Sequence, residues 1–301
     1  MKRRTILKNL GLAAFVTSPD LLDAKLDLKE KSIRVAHITD VHVQPFIGAA
    51  KGFEKCLHHI QSLKIKPDLI LNGGDCIMGA KNSNLKQITR QFELFNSIIS
   101  SENQLPYNAC MGNHDVWYGA DFEGEKRRAL DQIGLDIPYY SIDKGTWKII
   151  VLDSVQKHTN KKKYTAQIDE QQLEWLKNEL QNTPEDTHIM IMSHVPILSA
   201  CVFFDGKNFN NHSWQVSGSW MHSDAQDLIE LFYKHKNVKL AISGHIHLLD
   251  KVEYNGVTYC CNGAVSGAWW MGKYKQTPPG YAVIDLHTDG QFDVNYVNYK
   301  A

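Results

Sequence analysis

An α/β (α+β-like) fold, two packed mixed β-sheets flanked by helices, is what the 301-residue sequence predicts. Three observations predict it. In the first half, short β-rich runs alternate with stretches of helical periodicity. In the second half, strands come in adjacent pairs joined by tight turns. Helical patterns recur between the later strands too, so both sheets have helices to cover them.

The elements follow in order. "IRVAHIT" (33–39) is a run of β-formers that stops at Asp40-Val41-His42. Phe53, Leu57, Ile60 and Leu63 then recur at helical spacing. Pro67 opens "DLILNGGD", an apolar run that ends in Gly73-Gly74-Asp75. A second helix is expected over Leu85 to Ile99, with Ile88, Phe92, Phe95 and Ile99 on one face. "YNACM" (107–111) runs into Gly112-Asn113-His114-Asp115. "YYSID" and "WKIIVLDS" form successive strands that turn on Asp143-Lys144-Gly145. Asp169 is placed to cap a helix through Leu173, Leu176 and Leu180. "HIMIMSH" is a strand ending at His194, and a helix is expected from Asp224 to Lys236. "VKLAISGHIH" is a strand ending in His245 and His247, and hairpins follow on Asn255-Gly256 and Asp289-Gly290. Two stretches, 118–126 and 201–222, lack clear periodicity. A long aromatic-rich loop such as the second is often functional.

Lys plus Arg equal Asp plus Glu at 33 each, so no net field recruits a nucleic-acid polymer or an anionic membrane. The basic cluster Lys161–Lys163 suits a solvated loop just as well. "MKRRTILKNLGLAAFVTS" has a basic start, a short apolar stretch from Leu10 to Val16, and then turn residues. That is the layout of an export signal and is too short to span a bilayer, so no integral membrane segment is expected. Arg3-Arg4-Thr5-Ile6-Leu7-Lys8 resembles the twin-arginine signal. Residues 1–28 are accordingly assigned to the signal and a linker, and 29–301 to one folded domain. The expected location is exported and periplasmic, or cytoplasmic if the signal does not function. The six cysteines are spaced neither as disulfide partners nor as a zinc knuckle and are expected to be buried thiols.

Five strand ends carry similar cargo: Asp40-Val41-His42, Gly74-Asp75, Gly112-Asn113-His114-Asp115, His194, and Gly244-His245-Ile246-His247. Strand ends are where α/β sheets place ligand sites. In extended backbone, residues i and i+2 point to one side, so the members of Asp-x-His or His-x-His can reach a common ion. Carboxylate and amide oxygens with imidazole nitrogens suit Mn, Fe or Zn rather than Ca. Asp40, His42, Asp75, Asn113, His194, His245 and His247 are too many ligands for one catalytic ion. A bridging carboxylate makes them suitable for two ions roughly 3.5–4 Å apart.

The series D-x-H, G-D, G-N-H-D, H, G-H-x-H, in this order over about residues 33–250, resembles the calcineurin-like metallophosphoesterases. The resemblance implies a four-layer sandwich and a dinuclear hydrolase. It implies that Asp40, His42 and His247 bind one metal, Asn113, His194 and His245 the other, and that Asp75 bridges. It further implies that His114 faces substrate and either protonates the leaving oxygen or holds a phosphate oxygen, that Asp115 orients His114, and that Asn113 lies against substrate. Attack would be direct, by a metal-bridging hydroxide, on a small-molecule phosphate ester. The Asp-x-His start argues against the purple acid phosphatases, which place a tyrosine two residues further on. The overall plan is nearest the cyclic-nucleotide phosphodiesterase-like members. Their second motif usually continues differently from Cys76-Ile77-Met78, and many have a second histidine where Ser193 precedes His194.

A phosphodiesterase is therefore the expected activity. A phosphomonoesterase acting on nucleotides or sugar phosphates is the alternative. A non-catalytic binding module on the same fold would predict missing ligands, and all seven are present. His37, His58, His59, His158, His188, His235 and His287 are taken as structural. His212 and His222 either line a pocket or belong to a polar surface excursion. "GAVSGAWWMGKYKQTPPGYAVIDL" (263–286) resembles a run found in exported family members. Its Trp269 and Trp270 would either stack on a base or sugar, as substrate-binding residues, or pack beneath the metal centre as core.

Overall fold

The computed structural model describes residues 31–46, 48–79, 84–116, 122–158 and 164–300. The signal and linker of residues 1–28 and the Lys161–Lys163 cluster lie outside the described residues. The chain begins β1 (Lys31–Ile38), α1 (Ala49–Gln61), β2 (Leu69–Asn72), α2 (Leu85–Glu102), β3 (Tyr107–Ala109) and α3 (Phe122–Ile133). It continues β4 (Tyr140–Lys144), β5 (Trp147–Val151), β6 (Val155–Lys157), β7 (Tyr164–Ala166), α4 (Glu170–Asn182) and β8 (His188–Met192). Then come β9 (Phe209–Asn210), β10 (Ser213–Trp214), α5 (Ala225–Lys234) and β11 (Val238–Ser243). The last four strands are β12 (Asp250–Tyr254), β13 (Val257–Cys261), β14 (Tyr281–His287) and β15 (Phe292–Val297). Among the described residues, no helix is long and apolar enough to cross a membrane.

One sheet has the order β15-β14-β1-β2-β3 and the other β12-β13-β11-β8-β5-β4. Both are mixed. β1, β2 and β3 run parallel, β14 is antiparallel to β1, and β15 is antiparallel to β14. In the second sheet β13, β11, β8 and β5 run parallel, and β12 and β4 are antiparallel edges.

Side-chain alternation along each strand builds the layers. On β1, Ile33 and Val35 enter the core between the sheets, while Ala36 and Ile38 pack with Phe53, Leu57, Phe92 and Phe95 of α1 and α2. On β8, Met190 and Met192 face the other sheet, while Ile189 and Ile191 meet Leu176, Leu180, Leu228 and Phe232 of α4 and α5. Helix, sheet, sheet and helix thus stack in four layers. Strands buried on both faces explain why these runs read as continuously apolar. Trp147, fully buried between the sheets, satisfies its indole N–H on the His287 carbonyl at 2.7 Å.

Local signals agree with the elements they predicted. Asp169 accepts the Gln172 N–H at 2.7 Å as the N-cap of α4. All six cysteines are buried and free. The β4–β5 turn, however, falls on Gly145-Thr146, so Asp143 and Lys144 belong to β4. Part of the aperiodic stretch 118–126 is the start of α3. Its pattern is hidden because Lys126 takes a buried position, its ammonium 2.5 Å from Asp153 and 2.9 Å from the Val155 carbonyl. The stretch 201–222 contains a short 3₁₀ turn at Cys201–Phe204 and the small β9–β10 hairpin.

Candidate metal centre

The site lies at the carboxyl ends of five parallel strands. β1 delivers Asp40 and His42, β2 delivers Asp75, and β3 delivers Asn113 and His114. From the second sheet, β8 delivers His194 and β11 delivers His245 and His247. The carboxyl ends of strands from both sheets therefore bring these side chains together.

The i, i+2 pairs converge by a different route from the extended one expected. Asp40, His42, Asp75, His245 and His247 all have positive φ, between 48° and 71°. Side chains other than glycine rarely take this left-handed conformation, which costs roughly 1 kcal/mol or more per residue. Sharp local turns, rather than strand pleating, aim these groups inward. Such strain clusters where surrounding structure imposes it, as at ligand and catalytic sites.

Asp75 stands in the middle. Its Oδ2 is 3.6 Å from His42 Nε2, and its Oδ1 is 3.3 Å from His194 Nε2. On the first side, Asp40 Oδ1 lies 3.3 Å from His247 Nε2 and 3.8 Å from His42 Nε2, and the two imidazole nitrogens are 3.1 Å apart. On the second side, His194 Nε2 is 3.0 Å from Asn113 Oδ1 and 3.2 Å from His245 Nδ1. A tetrahedral ion with bonds of about 2.0–2.1 Å separates its ligand atoms by roughly 3.3 Å, so these spacings fit a metal on each side. Asp40 Oδ1 is buried without a hydrogen-bond partner, as befits an atom reserved for an ion. Three His/Asp groups of this kind are present among the described residues: Asp40-His42-His247, Asp75-His194-His245, and His42-Asp75-His114.

Backbone carbonyls fix the imidazoles. His194 Nδ1 donates to Gly73 O at 2.7 Å and His247 Nδ1 to Gly267 O at 2.6 Å, which leaves Nε2 of each for a ligand. Burial opposes ionisation of Asp40 and Asp75, yet the neighbouring His247 and His194 charges hold both carboxyls below their ordinary range. Burial pushes His42 well down and His245 down to about 3, so both imidazoles are neutral near pH 7 and could donate a nitrogen to an ion.

His114 is half-buried beside this pair of sites, its ring edge-on to His42 at 4.6 Å. Its backbone N–H donates to Asp75 Oδ1 at 2.7 Å, and its Nδ1 lies 2.5 Å from the Met78 carbonyl. Asp115 does not orient it. The Asp115 carboxylate accepts the backbone N–H groups of Gly112, Asp75, Cys76 and Ile77 at 2.8–3.2 Å. It therefore clamps the Asp75 turn to the Asn113 turn, and the aim of His114 comes from Met78. Burial and the Asp75 charge push the Asp115 carboxyl up to about 7, against the pull of hydrogen bonds from Gly112 and Ile77. Gly112 is required here, because an added Cβ would overlap the Asp75 backbone and carboxylate.

The model of the calcineurin-like phosphoesterase family matches residues 33–249. The chain belongs to that family. Relatives of this calcineurin-like phosphoesterase include the 3′,5′-cyclic adenosine monophosphate phosphodiesterase CpdA of Escherichia coli K12, 22% identical over 272 residues, covering 87% of this chain and 88% of that one. An Arcobacter nitrofigilis protein named "Probable glycerophosphodiester phosphodiesterase GpdQ" is 23% identical over 233 residues, 74% of this chain and 75% of its own. In fold, the phosphoesterase resembles a dimetal phosphatase from Danio rerio, with TM-score 0.66 and 13% identity over 90% of this chain and 97% of that chain. Family and site agree on the reaction class, hydrolysis of a phosphoric ester, and the His/Asp cluster could hold the divalent metal that such enzymes use.

The two tryptophans part company. Trp269 is half-buried against His247, with ring centroids 4.7 Å apart, and touches Tyr274 edge-on at 5.5 Å. Trp270 is only 9% exposed and belongs to the core between the first sheet and its helices, so it is not a substrate contact. Its indole N–H instead donates to the His42 carbonyl at 3.0 Å. His222 is buried and pairs with Asp224 at 2.9 Å, whereas His212 is exposed at the β9–β10 turn. Sequence reasoning missed Tyr164, whose hydroxyl sits 3.2 Å from His245 Nε2, and Thr39, which donates to Asp40 Oδ2 at 2.7 Å. No spacing marks Tyr164, which reaches the site from a three-residue strand.

Proposed function

We propose that the chain is a phosphodiesterase for small-molecule diesters. The observation that carries the reading is Asp75 standing between two complete ligand sets, with His114 anchored to the same carboxylate. The diester preference is supported by the phosphodiesterase names of the curated relatives and by the half-buried face of Trp269 beside His247. Asp40, His42, His247 and Asp75 would hold one ion, and Asn113, His194, His245 and Asp75 the other. The mixed oxygen and nitrogen donors favour Mn, Fe or Zn. Bound there, the ions would neutralise phosphate oxygens and activate water near neutral pH.

The chain's own groups do the rest. His114 keeps Nδ1 on the Met78 carbonyl, which leaves Nε2 as the atom that hands a proton to the leaving oxygen. Asn113 Oδ1 serves as a neutral ligand, and its neighbour His114 lines the phosphate position. Trp269 and Tyr274 offer aromatic surface to an organic substituent of the ester. Export through the twin-arginine pathway belongs to the same proposal, supported by Arg3-Arg4 ahead of a short apolar stretch. That route carries folded proteins and would let the ions load first.

The test is kcat/KM for bis-p-nitrophenyl phosphate against p-nitrophenyl phosphate with Mn²⁺ supplied. The diester is expected to be the better substrate. A preference for the monoester would overturn the assignment to diesters.

A further inference from the structure

Three of the four groups proposed for the first ion, Asp40, His42 and His247, are hydrogen-bonded to one loop after β13. Ser266 Oγ donates to the Asp40 carbonyl at 2.7 Å, and the Ser266 N–H points at the same oxygen at 3.3 Å. Trp270 Nε1 donates to the His42 carbonyl at 3.0 Å, and His247 Nδ1 donates to Gly267 O at 2.6 Å. Among the second ion's groups, His194 is held on Gly73 O and the His245 ring on Tyr164, while the His245 backbone N–H donates to Asp40 Oδ2 at 2.8 Å.

The loop is held in an uncommon shape. Trp269 and Trp270 both have positive φ, 48° and 74°, a rare conformation for bulky residues. The Trp270 N–H closes onto Ser266 O at 2.8 Å, and Tyr299 Oη holds the Val265 carbonyl at 2.7 Å. The indole itself is seated against helix α1 at Gly52, where an added Cβ would overlap the ring. Glycine in a helix interior is unfavourable by about 1 kcal/mol relative to alanine. Its presence under the indole gives the position a reason that helix formation alone does not supply. Lys300 Nζ lies 5.2 Å from the centroid of the same ring.

We infer that Trp270 is a positioning residue for the first metal ion: seated on Gly52, it sets the His42 carbonyl and so aims His42 at the ion shared with Asp40 and His247. Trp270 bonds His42 of the first set, while His194 and His245 of the second take their side-chain bonds from Gly73 and Tyr164, so the brace acts first on the first ion. The inference rests on the two-ion reading of the site.

The experiment measures Mn²⁺ bound per chain by equilibrium dialysis in the full-length protein, in Trp270→Phe, in Gly52→Ala and in the double variant. Anomalous scattering in crystals then locates the retained ion, and circular dichroism with denaturant unfolding reports on folding. Trp270→Phe removes the N–H donor and keeps an aromatic ring. Gly52→Ala removes no contact and raises helix propensity, but it displaces the indole. Each is expected to weaken one ion roughly 10–100-fold, as loss of an outer-shell partner does. The ion kept should sit among Asp75, Asn113, His194 and His245. Because both act through one contact, the double variant should be no weaker than Trp270→Phe alone. Unchanged affinity at both sites, parallel loss at both, or additive losses in the double variant would each overturn the inference. Fewer than two equivalents bound by the unaltered protein would instead defeat the two-ion reading.

Discussion

Asp75→Ala is expected to abolish hydrolysis, with a fall of roughly 10⁴-fold or more in kcat/KM, since several kcal/mol of transition-state charge stabilisation depends on both ions. The reasoning is geometric. Among the described residues, Asp75 is the one whose two carboxylate oxygens approach both ligand sets, one at 3.6 Å from His42 and the other at 3.3 Å from His194. Its removal takes a ligand from each side and also the acceptor for the His114 backbone N–H. Metal content should therefore fall together with activity, and metal analysis beside kinetics checks it. Near-normal metal content with lost activity would mean that Asp75 acts otherwise than as a shared ligand.

His114→Ala is expected to behave in the opposite way on metal. Its imidazole is held by the Met78 carbonyl rather than by either full ligand set, so two ions should still bind. General-acid catalysis contributes typically about 10²–10⁴-fold, so kcat should drop within that range for an alkyl leaving group. With p-nitrophenolate, which leaves without much help from a proton, the drop should be smaller. Comparing one aryl and one alkyl diester measures this directly. Equal losses on both substrates would remove His114 as the proton donor and leave it a phosphate-binding role.

Much of this was legible in the sequence for physical reasons that can be named. Strands buried on both faces write themselves as apolar runs, and Gly-rich strand ends announce where the chain must turn sharply. The seven candidate ligands lay at those ends, and the structure brings all seven side by side. Less legible was whatever depends on backbone rather than side chain. Asp115 looked like the partner of its neighbour His114, but its carboxylate is spent on four backbone N–H groups, which no residue pattern displays. The left-handed turns at Asp40, His42, His245 and His247 were likewise hidden, because nothing but context forces a non-glycine residue to positive φ. Helix α3 was obscured by a lysine in a core position, and its partner Asp153 lies 27 residues away in a different element. The adjacent tryptophans carry identical side chains, and only the packing of α1 against the loop decides that one is core and the other faces the site.

The most direct test of a two-ion phosphodiesterase is activity against metal equivalents. Protein stripped by chelation would be titrated with Mn²⁺ while hydrolysis of bis-p-nitrophenyl phosphate is followed. Activity that rises as the second equivalent is added and levels off at two is the expected result. Hydrolysis that survives chelation, or that reaches its plateau at a single equivalent, would contradict it.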